Sequence, residues 1–218
     1  MDKQLHHLLI NKNPNLDEIK KLCMGHQPFI DELIDNLTEK KETIRYNSSR
    51  VLTRIAEEKP ALLYPYWNVY IDQLHSPNTF HILTAIILIS RVIVSDTKNQ
   101  FKFIENDFFN LINHKNVIPV RYFLLDIWRI GKARTEYIPR IKKILLSIDG
   151  LNQEHLGLLK GDAILAFAEL WDLLSARDKT EAISFARKQI ESDSPKTRKE
   201  AKKFLEKFGE KILKPENS

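Results

Sequence analysis

The chain has 218 residues, 43% of them hydrophobic, and a formal net charge of +5. That is enough apolar material for one elongated domain or two small ones, and it excludes wholesale disorder. Six glycines are too few for an all-β protein or for glycine-rich nucleotide loops, and a single cysteine, Cys23, excludes an intrachain disulfide and a thiolate zinc site.

The first residues, MDKQLHHLLINKNPN, break into polar residues after a short apolar run, unlike a secretory signal. NLDEIKKLCMG (15–25) reads as a helix, with Asn15 as N-cap, Glu18 as its capping-box partner and Gly25 as the stop. Residues 1–25 are therefore expected to form N-terminal capping helices. PFIDELIDNL (28–37) and IRYNSSRVLTRIAEE (44–58) then read as two helices joined by the polar link TEKKE. The next two are PYWNVYIDQL (65–74) and FHILTAIILISRVIV (80–94). The run ILTAIILISRVIV is too short to span a bilayer and is interrupted by Arg91, so it reads as a fully buried helix of a soluble, cytoplasmic protein. KFIENDFFNL (102–111) and VRYFLLDIWRIGKA (120–133) follow, joined through NHKN. PRIKKILLSI (139–148) leads through a longer link, DGLNQEHLGLLKGD, into AILAFAELWDLL (163–174). TEAISFARKQI (180–190) and TRKEAKKFLEKF (197–208) make the last pair. Short links force each pair antiparallel.

The first helices repeat with a step of 37 residues. Pro28, Pro65 and Pro139 fall in phase, with Lys102 in the third place, and Leu37, Leu74, Leu111 and Ile148 close the four segments. Proline suits the first turn of a helix, or a kink after a leading turn such as ALLYP or TEYIP. The expected units are 26–59, 60–96, 97–134, 135–175 and 176–212, with 213–218 a disordered tail. Trp67 shares its place with Ile30, Ile104 and Ile141, which makes it a large core residue.

ESDSPKTRKEAKKFLEKFG (191–209) resembles a HEAT-repeat unit, with Asp193, Pro195, Arg198, Ala201, Leu205 and Gly209 in the pattern and Thr197 in place of the usual valine. Ile44–Arg45 with Ala56, and Val120–Arg121 with Gly131, take similar places in the first and third units. The second unit departs at His81–Ile82, and the fourth departs most. The resemblance covers roughly residues 26–212. It implies an all-α fold, a right-handed α-α superhelix (α-solenoid) of about five HEAT-like helix pairs plus an N-terminal cap, with second helices lining the concave side. A two-helix unit cannot bury its apolar stripe alone, so neighbours must stack.

Charge is uneven: residues 1–120 carry 14 Lys and Arg against 14 Asp and Glu, and residues 121–218 carry 20 against 15. Arg54, Arg91 and Arg129 recur on successive second helices, Lys207 continues the series, and Arg50, Arg121 and Lys132 flank it. Such a ladder either binds an anionic partner or bridges to carboxylates in neighbouring units, such as Glu57 or Asp126. Trp128 aligns with Thr53 and Ser90 and so reads either as an exposed aromatic beside Arg129 or as packing between units.

The seven histidines form no HExxH and no spaced ligand cluster, and there is no GxSxG, P-loop or dinucleotide fingerprint. No metal and no cofactor is expected. The pattern points to a non-enzymatic scaffold binding a protein or an acidic peptide on its concave face, without membrane insertion. The alternative is a nucleic-acid-binding protein that uses the basic second half. Carboxylates near tryptophans also suggest a similarity to the DNA-alkylation-repair glycosylases, but DIWRIG does not reproduce that family's Trp-Trp-Asp-x-Val-Asp stretch.

Overall fold

The computed structural model describes residues 2–209, and these contain helices and short 3-10 turns with no strand among them. The expected tail at 213–218 lies outside the described residues. In order the helices are α1 (Lys3–Leu9), α2 (Leu16–Met24), α3 (Gln27–Asp35), α4 (Glu42–Glu58), α5 (Trp67–Leu74), α6 (Thr79–Val92), α7 (Phe101–Asn110), α8 (Val117–Ala133), α9 (Ile138–Leu146), α10 (Leu156–Leu170), α11 (Ala176–Lys188) and α12 (Pro195–Phe208). They fall into two compact units, one ending at Phe108 and one beginning at Phe109.

Three of the second helices, α6, α8 and α12, begin at capping residues that end the links before them. Asn78 accepts the Phe80 N–H at 2.9 Å, Asn116 the Ile118 N–H at 3.0 Å and Ser194 the Thr197 N–H at 3.4 Å. Asn15 accepts the Glu18 N–H at 3.3 Å, and Gly25 stands at the other end of α2. The leading turns before α5 and α9 are 3-10 turns, Pro60–Leu62 with Tyr64–Tyr66, and Thr135–Tyr137. The arginines of Ile44–Arg45 and Thr197–Arg198 do one job. Arg45 donates to the Glu39 carbonyl at 2.9 Å and Arg198 to the Ser192 carbonyl at 2.6 Å, each six residues upstream, bracing the turn inside its helix pair.

In the first unit α2, α4 and α6 pack in succession, with α3 against α4 and α5 against α6. Ile30, Trp67 and Ile104 are buried, as are the closing Leu37 and Leu74. Tyr64 meets Trp67 edge-on, and the Tyr70 hydroxyl donates to the Leu63 carbonyl at 2.9 Å. The helix expected to be fully buried is α6, yet Leu83 and Ile87 are half-buried and Val94, just beyond it, is exposed. No helix among the described residues is long and apolar enough to cross a membrane.

In the second unit α10 packs between α8 and α12, with α9 against α8 and α10 and α11 against α12. Ile141 and Ile148 are buried, and Trp171 stacks on Phe208 with ring centroids 4.3 Å apart. The sequence reading made 149–162 a link, but α10 begins at Leu156. Gly157 and Gly161, poor helix formers in isolation, act here as close-packing residues. The Thr197 hydroxyl donates to the Gly157 carbonyl at 2.6 Å. A Cβ on Gly161 would stand 2.5 Å from Thr197 Oγ1 and 3.2 Å from its Cα. This backbone approach also gives Thr197, in place of a valine, its use.

Candidate binding face on the second helices

In the first unit the predicted cations sit in local pairs. Arg54 Nη1 lies 2.7 Å from Asp17 Oδ1 on α2, a partner 37 residues upstream. Arg91 Nε lies 3.2 Å from Glu57 Oε1 on α4, 34 residues upstream, and also donates to the Ile87 carbonyl. Both therefore reach back about one repeat. The Arg50 guanidinium stands over the exposed Tyr46 ring, 5.3 Å from its centroid.

The second unit brings Trp128, Arg129 and Lys132 together on α8. The Trp128 indole N–H donates to the Leu125 carbonyl at 2.8 Å, and the Arg129 guanidinium and Lys132 ammonium each stand 4.4 Å from the ring centroid. Arg129 Nε also meets Asp126 at 3.2 Å, and Lys132 meets Glu169 of α10 at 2.9 Å, 37 residues downstream. Trp128 is half-buried, whereas Trp67 and Trp171 are buried. Lys207 lies over the ring of its neighbour Phe208 at 5.0 Å.

Arg121 leads a different cluster. Its Nε donates to Asp162 Oδ2 at 2.8 Å and its Nη2 to Asp162 Oδ1 at 3.4 Å, while Lys196 of α12 donates to the same Oδ1 at 3.0 Å. Asp162 is fully buried, and the Arg121 and Lys196 side chains are 31% and 41% exposed.

The sequence reading passed over several neighbours of these groups. Ile118 and Tyr122 are exposed and Leu125 half-buried; at i, i+4 and i+7 they form an apolar stripe on α8 opposite the buried Val120, Phe123, Leu124 and Ile127. Lys196, Lys199, Lys203 and Lys207 are exposed on α12 at i, i+3, i+7 and i+11. Both spacings are present in the sequence; what hid them was that α8 is apolar on both sides and α12 was read for its buried pattern.

Burial, with the nearby Glu32 charge, pushes the Cys23 thiol up to about 12, so it is no nucleophile at neutral pH. Among the described residues no three His, Cys, Asp or Glu side chains converge as metal ligands.

No protein-family model and no curated protein matches the sequence. Solved structures resemble it in fold. An engineered protein, a structural-genomics target known from its crystal structure, superposes with a TM-score of 0.57 at 15% identity, over 95% of this chain and 88% of its own. A designed armadillo repeat protein superposes with a TM-score of 0.54 at 16% identity, over 93% of this chain and 98% of its own. At these identities the likeness is one of fold alone, and the fold it shows is the all-α helical-repeat solenoid.

Proposed function

We propose that the chain is a non-enzymatic, cytoplasmic, HEAT-like repeat scaffold that binds a protein partner on a concave face lined by its second helices. Trp128, Arg129 and Lys132 are the anchor, with Arg121 and Lys207 of the second unit and Arg50, Arg54 and Arg91 of the first as the further binding candidates. The observation that carries this reading is the state of Trp128. Its ring is held in place by a hydrogen bond and two cations, is half exposed, and continues the apolar stripe of Ile118, Tyr122 and Leu125. A pre-ordered aromatic beside an arginine loses little side-chain freedom on binding, which is why such pairs concentrate interface energy. Helical-repeat stacks suit this use because successive repeats present one extended surface.

Affinity capture from nuclease-treated native lysate tests the reading. The wild-type chain should enrich a protein that is lost with Trp128→Ala and with the triple variant Arg54→Glu, Arg91→Glu, Arg129→Glu. An unchanged set of captured proteins would remove these residues from the binding role. Capture that disappears on nuclease treatment would point to nucleic acid instead.

A further inference from the structure

The Arg121–Asp162–Lys196 cluster holds two cations against one carboxylate, and the carboxylate is fully buried while both cations reach solvent. A buried carboxylate is stable only when paired, and Asp162 is over-supplied: it needs one positive charge and has two. The cluster keeps a net charge of about +1 at its surface. The unused donors can be counted. A guanidinium has five N–H groups and an ammonium three. Arg121 donates two to Asp162 and Lys196 donates one. Three hydrogens on Arg121 and two on Lys196 thus remain beyond those given to Asp162. Asp162 meanwhile pins both side chains, so the donors are positioned before any ligand arrives.

The surroundings narrow the ligand. Ile118 and Leu125 stand one turn to either side of Arg121 on α8, with Tyr122 adjacent. On α12, Lys199 lies one turn beyond Lys196, while Lys203, one turn further, is paired with Glu200 at 3.6 Å. An anionic group bound at Arg121 and Lys196 would have an apolar surface on one side and the Lys199 ammonium on the other.

We infer that Arg121 and Lys196, positioned by Asp162, form a carboxylate subsite for an acidic segment of a partner protein, with an apolar residue of that segment resting on Ile118, Tyr122 and Leu125. The inference rests on the partner-binding reading above and names the chemistry of that partner. A monoanionic carboxylate matches the surplus of one charge, and the apolar stripe gives the neighbouring side chain a place that a bare phosphate or a sugar-phosphate chain would leave empty. Asp162 is a positioning residue and does not touch the ligand.

The test is a titration of the isotope-labelled full chain, followed by NMR, with a decapeptide of alternating glutamate and leucine. Its glutamine-for-glutamate counterpart, inorganic phosphate and a short single-stranded oligonucleotide are titrated in parallel. The acidic peptide should shift the amides of residues 118–125 and 196–203, and should bind at least ten-fold more tightly than the glutamine peptide. Lys196→Gln should weaken it at least ten-fold with no change in the thermal midpoint, because Arg121 still neutralises Asp162. Equal affinity for both peptides, equal affinity in Lys196→Gln, saturation by phosphate at the same concentration, or tighter binding of the oligonucleotide would each overturn the subsite. Failure of the subsite differs from failure of the scaffold. If the peptide ignores Lys196→Gln while the lysate partner is still lost with Trp128→Ala, the subsite is wrong and the scaffold reading stands.

Discussion

The unit ending at Phe108 and the unit beginning at Phe109 are built from the same kind of helix pair but use their cations differently. Residues 1–108 carry 13 Lys and Arg against 14 Asp and Glu; residues 109–218 carry 21 against 15. In the first unit Arg54 and Arg91 each close an ion pair one repeat upstream, and Lys20 meets Glu58 at 2.7 Å, 38 positions along. These contacts stitch neighbouring helices together. In the second unit Lys132 and Glu169 do the same, but Arg121 and Lys196 share one carboxylate, and the half-buried Trp128 is clasped by cations on α8. The difference teaches that a row of basic residues in a repeat sequence is not itself a binding site. What matters is which cations keep donors after their neighbours are satisfied.

The comparison can first be tested through the core of the first unit. Trp67→Ala should cost about 3–5 kcal/mol by chemical denaturation, as removal of a large buried aromatic does. Trp67→Ile should recover about half of that loss, since isoleucine fills the same place at Ile30, Ile104 and Ile141. Trp67→Phe should cost least, because it keeps most of the ring's volume while removing the indole N–H, which is buried without a hydrogen-bond partner. Equal losses for all three would mean that the repeat register does not set the packing there.

The second unit has its own sensitive point, at the α10–α12 seam. Gly161→Ala should destabilise by about 1–3 kcal/mol, because the new methyl group meets Thr197 at its backbone as well as its side chain. Gly150→Ala, with nothing within 4 Å of the added carbon, should be neutral and serves as the control. A neutral Gly161→Ala would show that α12 can slide on α10, and would weaken the case that Lys196 is fixed relative to Arg121.

These two sites also mark what was legible in the sequence. The 37-residue step located the buried Trp67 because a core position depends only on its own helix and the phase of the repeat. The start of α10 was not legible, because Gly157 and Gly161 stop an isolated helix and only the close approach of Thr197 repays their flexibility. The bridging reading named Glu57 and Asp126, and these meet Arg91 and Arg129, the second pair within α8 itself; the partners of Arg54 and Arg121 were not legible. Arg54 chose Asp17, and Arg121 chose Asp162, through side-chain reach across neighbouring helices, which spacing within one helix does not encode. Trp128 was visible as an oddity beside Thr53 and Ser90, and its contacts with Arg129 and Lys132 follow from their places one residue and one turn along α8.

Ion pairs that step between repeats should matter less than either core site. Arg54→Gln in the first unit and Lys132→Gln in the second each remove a pair whose members are about half exposed. Each should cost below about 1 kcal/mol, screened further by salt. Double-mutant cycles with Asp17→Asn and Glu169→Gln measure the coupling. A larger coupling at Lys132–Glu169 than at Arg54–Asp17 would mean that the second unit depends on the same stitching as the first, against the contrast between them.

Acid titration should show the smallest effect, spread over a range of pH. In the first unit, the hydrogen bond from Lys20 holds the Glu58 carboxyl below its usual range. In the second, hydrogen bonds from Lys142 do the same for Asp178, at 2.5 Å, and for Glu181, at 3.0 Å. The sign follows from the direction of the shift. A carboxyl with a depressed folded pKa binds its proton more readily in the unfolded chain, so its stabilising contribution is complete above the unfolded value and is lost as pH falls through the folded one. Both units should therefore hold their stability down to about pH 4 and lose it below. The second should lose more, because Lys142 serves two carboxylates where Lys20 chiefly serves one. Lys142→Met should flatten the acid limb of the stability curve more than Lys20→Met does. Equal flattening would place the acid sensitivity elsewhere in the chain.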